Sequence, residues 1–237
     1  MVEPTEMPAI EKNPAAEGLE VVVLGSFNPA IFHPEWFLHQ KIISDEEANS
    51  PETNVTVVGR DVTDIQLYGM KLLCLSDRLS LSTFNISKAP RMQDLLLQVF
   101  TTLSHTPVTA CGINPHAHYR VGDINYWHKI GHTLAPKELI WNELVEQPGM
   151  QSLLIKAPRK GEFPGEIYLG VEPSLDKRYH PAIFVRSNYH YAMPTGLLHS
   201  GATELLLKFL KAEWEPACGM ARRVAEKILD KIKPDNG

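Results

Sequence analysis

The sequence predicts an α+β fold: antiparallel sheets with packed helices, arranged as two similar halves and closed by a long C-terminal helix. Three observations carry this. Short β-branched or alternating runs follow one another through brief turns, as in meanders. An amphipathic helix comes after each group of strands. Single strands do not alternate with helices in the manner of βαβ units. A helix-grip or TBP-like arrangement meets all three requirements.

Size and composition set the frame. The 237 residues suffice for one large domain or two small ones built together, and 43% hydrophobic with 22% charged residues is ordinary for a chain that buries a real core. The net charge of −5 speaks against a general nucleic-acid binder, which needs a basic face for phosphates. The three cysteines, Cys74, Cys111 and Cys218, lack metal-type spacing and sit in apolar surroundings, so buried free thiols in a reducing compartment are expected. No run approaches the length of a membrane span and no apolar core marks a signal peptide, so a soluble, cytoplasmic protein is expected.

Along the chain, residues 1–18 are acidic and proline-rich and are expected to be a disordered leader. Residues 19–26 (LEVVVLGS) make the first strand, apolar enough to be central in a sheet or covered on both faces. Pro34 fits the first position of a short helix reaching about residue 42, and ISDEEANSPET after it reads as a mobile acidic loop. From 54 to 84 three strands are expected, the second with Gly69 as a bulge and the third alternating leucine with serine, one face packed and one wet. Pro90 opens an amphipathic helix with Met92, Leu95, Leu96, Val99 and Leu103 on one stripe.

A strand over 108–113 then opens, at Asn114-Pro115, into a His-x-His pair. A turn at Gly122-Asp123 leads to helical pieces broken at Pro136. Strands are expected over 150–157, 166–171 and 182–193. Thr203 reads as the cap of a C-terminal helix that Pro216 kinks or divides. The organisation is therefore a leader (1–18), a first half (19–122), a second half (123–233) and a tail (234–237), with duplication inferred from element order.

The run LLCLSDRLSLSTF, the helix after it and VTACGIN resemble a sporadically distributed, largely uncharacterised bacterial family whose members often neighbour mobile or accessory genes. WNELVEQPGMQSLLI is similar to that family's second-half opening. The resemblance spans residues 64–157. It implies a two-half α+β fold and brings no catalytic residues with it; the pair His116 and His118 departs from the family pattern.

Chemistry concentrates between Val108 and His132. His116 and His118, two apart, share a face on a strand; His128 and His132, four apart, share a face on a helix. Two such pairs could close around zinc or iron, although Asp123 is the sole carboxylate in the window, and no cofactor is otherwise expected. The bland alternative is scattered polar residues around a loop. The stretch His33, Trp36, His39 reads more simply as an amphipathic helix. Arg186, Asn188 and His190 line one face of a late strand and offer a ligand or partner face, or plain solvent contact. The basic residues Lys156, Arg159, Lys160, Arg222 and Arg223 read as solvated faces.

Phosphate-loop, dinucleotide, nucleophile-elbow, metalloprotease and paired C-x-x-C patterns are all absent. The leading expectation is thus a non-catalytic protein-binding or scaffold component of a bacterial accessory system, defence among the candidates, with a protein partner and a homodimer compatible with it. The alternatives are a metal-dependent enzyme built on the central histidines and a small-ligand binder of the helix-grip kind.

Overall fold

The β-branched runs do pair, and they pair into one sheet. The computed structural model describes residues 13–196 and 199–234. Strand β1 (Ala16–Gly25) is followed by helices α1 (Pro34–His39) and α2 (Asp45–Ala48). A four-strand meander comes next: β2 (Asn54–Val58), β3 (Val62–Leu67), β4 (Met70–Leu75) and β5 (Arg78–Thr83). Helix α3 (Ala89–Thr102) leads to β6 (Val108–Arg120), α4 (Ile124–Leu134) and α5 (Trp141–Leu144). A second meander, β7 (Leu153–Arg159), β8 (Gly165–Pro173) and β9 (Ala182–Ala192), precedes α6 (His199–Cys218) and α7 (Met220–Lys231). The nine strands form a sheet in the order β2-β3-β4-β5-β1-β6-β9-β8-β7, antiparallel throughout.

Alternation along the central strands decides which face is covered. Leu19, Val21 and Val23 of β1, Cys111 and Ile113 of β6, and Tyr189 and Tyr191 of β9 are buried in one apolar cluster with α3 and α6. Ala117 and Tyr119 of β6, with Ile183 and Val185 of β9, form a second cluster with α4 and α7. All the long helices therefore lie on one side. Helix α6, late in the chain, belongs to the same cluster as the first meander, so the division of the core does not follow the order of the sequence. The expected stripe on α3 is buried at Met92, Leu95, Leu96 and Val99. Among the described residues, no helix is long and apolar enough to cross a membrane.

Several expectations need correction. Of the leader, residues 1–12 lie outside the described residues, but Ala16 to Gly18 already belong to β1, and Ala15 N donates to His118 O at 2.7 Å. Of the tail, residues 235–237 lie outside the described residues, as do 197 and 198 of the loop expected before α6. Gly69 is not a bulge: Tyr68 (φ 50°) and Gly69 (φ 74°) form a two-residue turn joining β3 to β4, so the region holds four strands. The acidic loop contains α2, held by a capping box in which Ser44 Oγ accepts from Glu47 N and Glu47 Oε2 accepts from Ser44 N.

Thr203 lies inside α6 and donates from Oγ1 to Thr106 O at 3.0 Å, tying the helix to the turn before β6. Pro216 stays within α6, and the helices divide three residues later at Gly219. Arg159, expected in solvent, has a side chain only 8% exposed and pairs with Glu213 of α6 at 3.1 Å. Its guanidinium also faces the rings of Tyr189 and Phe209.

Trp214 is the largest fully buried side chain and sits where α6 meets the first cluster. Its replacement by alanine is expected to cost about 3–5 kcal/mol of unfolding free energy, measured by chemical denaturation.

Candidate functional site

Strand β6 runs unbroken from Val108 to Arg120, so Asn114-Pro115 does not end it. Pro115 has no N–H to give, and the ladder with β9 is open between the pairs Ile113↔Tyr189 and His116↔Arg186, which keep one register. On the β1 side Pro115 stays opposite Leu19. His116 and His118 consequently project from the sheet face away from the helices. Arg186, Asn188 and His190 of β9 project on that same face, alternating with buried Val185, Ser187, Tyr189 and Tyr191 as expected.

Two glycines shape this face. A methyl group at Gly18 would stand 2.6 Å from His116 Nε2, so the imidazole lies across bare backbone. At Gly112 a methyl group would stand 3.1 Å from Asn188 Oδ1 and 3.4 Å from Asn114 Oδ1. Both amide oxygens are shielded from solvent and accept no hydrogen bond from the described residues.

The histidines belong to a line of rings. Phe84, 88% exposed at the end of β5, meets His116 edge-on at 5.9 Å. His116 and His118 both contact Phe184, at 5.8 and 4.7 Å, and His118 contacts Tyr179 at 5.3 Å. His118 Nδ1 lies 2.8 Å from Ser174 Oγ. Burial among these rings lowers the basicity of His116, the carbonyl of Asn114 and the charge of Glu20 opposing it weakly. His118 is lowered for the same reason, with Asp176 opposing and Arg178 reinforcing.

His128 and His132 are elsewhere. Helix α4 lies on the helix-covered side, where Tyr126 Oη donates to Ile232 O at 2.7 Å and Trp127 Nε1 to Ala182 O at 3.0 Å. Both histidines are exposed, and the sheet separates them from His116 and His118. The four do not converge, and among the described residues no three His, Cys, Asp or Glu side chains are grouped to hold a metal ion. His33 caps α1, its Nδ1 accepting from Glu35 N at 3.2 Å, while Trp36 joins Phe32 and Phe37 in a packed trio and His39 is exposed. The cysteines are free, and burial pushes the thiols of Cys74 and Cys218 up to about 12 and that of Cys111 higher still.

The charges of the open face neutralise one another. Arg186 pairs with Glu172 at 2.8 Å, Lys156 with Glu166 at 2.5 Å, Arg178 with Asp176 at 2.6 Å and Lys71 with Asp64 at 3.0 Å. The result is a polar, ring-bearing surface without a dominant sign.

Sequence reasoning missed a second region, where α4 ends. Residues 139–145 expose apolar side chains in solvent: Leu139 (85%), Ile140 (56%), Trp141 (50%), Leu144 (68%) and Val145 (54%). Beside them a groove of about 700 Å³ passes Trp141, Val145 and Met150 towards Leu175, itself 93% exposed. Beneath α4 lies a smaller cavity of about 200 Å³, bounded by Trp127, Ile130 and Met150. By sequence alone Leu139, Ile140, Trp141 and Leu144 supply apolar positions of the helical pieces expected after Gly122-Asp123. Only Trp141 to Leu144 is helical, and a single turn that begins without a side-chain cap reaches no sheet.

No family model and no curated protein sequence matches this chain.

The lowered basicity of His116 and His118 sets a pH dependence. Protonation is penalised in the folded protein, so as pH falls below the ordinary value of 6.5 the unfolded chain takes up the proton first and stability declines. Above 6.5 the contribution is fully present. Proton NMR should show both imidazoles titrating below 6.5. His116→Gln should flatten the loss of stability as pH falls below 6.5.

Proposed function

We propose that this chain is a non-catalytic protein-binding module that seats an apolar, basic-flanked segment of a partner protein on residues 139–145 and the groove beside them. One observation carries the reading. Five apolar side chains within seven consecutive residues are at least half exposed, next to a groove of about 700 Å³. A contiguous surface of this kind is what soluble proteins keep for an interface. Trp141, half-exposed at the groove, has the amphipathic ring that interface centres favour.

The rim gives the partner its sign. Glu138, Glu143 and Glu146 are all exposed around the patch, on a chain whose net charge is already −5. Lysines or arginines flanking an apolar stretch complement that arrangement and quicken the encounter. The resemblance over residues 64–157, which includes this surface, is in keeping with a scaffold role in a bacterial accessory system. A meander followed by a long helix in each half, at opposite ends of the sheet, supports an origin by duplication of a helix-grip-like unit.

The test compares the native chain with Ile140→Asp/Leu144→Asp as baits in the host. A stoichiometric partner should be recovered by the native chain and depleted at least about tenfold by the variant, with binding reproduced from purified components. Unfolding temperatures should agree, because both side chains already face water. Equal recovery by the two baits sinks the reading.

A further inference from the structure

Lys137 is the one lysine among the described residues with a buried side chain, at 3% exposed. Its place follows from the end of α4. Leu134 is the last helical residue, and Pro136 cannot continue the ladder. The next residue turns its side chain back beneath the helix, where Nζ donates to the terminal carbonyls Gly131 O (3.2 Å) and Ala135 O. Lys137 O accepts from Trp141 N and Asn142 N, which fixes the backbone that presents it. Part of this is ordinary capping of the negative end of a helix.

Capping leaves something over. An ammonium has three N–H donors, and two of them are engaged. Among the described residues Lys137 makes no ion pair, although its charge does act on neighbouring Glu138. The nearest carboxylate in sequence, Glu138, is exposed and uses Oε2 to accept from Lys137 N at 3.0 Å. A buried charge held chiefly by neutral carbonyls is costly, and a carboxylate brought to it gains more than it would at an exposed lysine.

The side chain lines both the cavity of about 200 Å³ and the groove of about 700 Å³. The cavity walls are chiefly apolar, formed by Trp127, Ile130, Pro148, Met150, Pro173 and Ile183, and His128 and His132 also line them. The two spaces share Lys137, Pro148, Gly149, Met150 and Pro173, so they communicate.

We propose that this cavity is a binding site for a small apolar monocarboxylate, with Lys137 Nζ as the anchor for its carboxylate and the apolar walls as the seat for its acyl or aryl tail. A single buried ammonium matches one negative charge; His128 and His132, also on the walls, are exposed to solvent, and deeper in, the further anionic oxygens of a phosphate or a dicarboxylate would face Ile130, Met150 and Ile183. A tail longer than the cavity has the groove to extend into. The cavity opens into the groove of the partner surface, but Ile140 and Leu144 line neither space, so the anchor can be tested separately from the exposed patch.

The probe is octanoate, titrated calorimetrically into the full chain, with octanol and succinate as controls. Octanoate should bind saturably at one site, at least about tenfold more tightly than octanol, as one charge-assisted hydrogen bond in a buried site requires. Lys137→Met should weaken octanoate to the level of octanol. Should that variant fail to fold for want of its cap, Met150→Trp fills the cavity from another wall, keeps Lys137 and should abolish binding. Ile140→Asp/Leu144→Asp should bind octanoate normally, which separates this site from the partner surface. Absence of saturable octanoate binding, equal binding of octanol, succinate as tight as octanoate, or binding unaffected by Met150→Trp would each overturn the proposal.

Discussion

Everything in this molecule hangs on β6 being paired along both sides. It exchanges backbone hydrogen bonds with β1 on one edge and β9 on the other over nearly its whole length of 13 residues. Without that strand the chain would hold two separate sheets, of five strands (β2-β3-β4-β5-β1) and three (β9-β8-β7), each with an apolar face to cover. With it they become one sheet, and a single layer of helices covers the apolar face of both. Pro115 interrupts the β9 ladder over two residues and leaves the register untouched, because the pairs before and after it hold the strands in place.

That one-sided cover distributes the chemistry. On the helix side, Trp214, Tyr119, Phe209 and the aliphatic stripe of α3 fill the interior, and the thiols of Cys74 and Cys111 are buried among them and held protonated. The bare side carries His116, His118, Asn114, Asn188 and Arg186, flat against glycines and balanced charge for charge. Its rings make it a distinctive surface, but ion pairing leaves it without the field that would draw a polyanion. The third environment, where α4 ends, is neither core nor open sheet. There the chain turns away from the sheet at Pro136, and apolar side chains that found no interior remain at the surface around a buried ammonium.

Much of this could be read from residues. Alternation of Leu79 and Leu81 with Ser80 and Ser82 identified the packed face of β5, but the other face is not simply wet: Ser80 is buried and Ser82 half-buried, and exposure comes with Phe84 beyond them. The 3.6-residue spacing identified α3, and the alternation of 185 to 191 identified both faces of β9. Local signals that were present but outweighed include the Ser44-to-Glu47 capping box and the Tyr68-Gly69 turn. Lys137 left no signal, since a lysine between a proline and a glutamate reads as solvated until the helix end above it is placed.

The amino-acid sequence by itself determined the class of fold, the strands and helices with strong periodicity, and which side of each faces the interior, because those follow from spacing along one segment. Tertiary structure decided the rest. It chose one sheet over two, placed α6 with the first meander, put the two histidine pairs on opposite sides of that sheet, and left 139–145 in water with Lys137 beneath. None of these depends on neighbours in sequence. Each follows from which surfaces remained to be covered once β6 had joined the halves, and that is settled only when distant segments compete for the same apolar face.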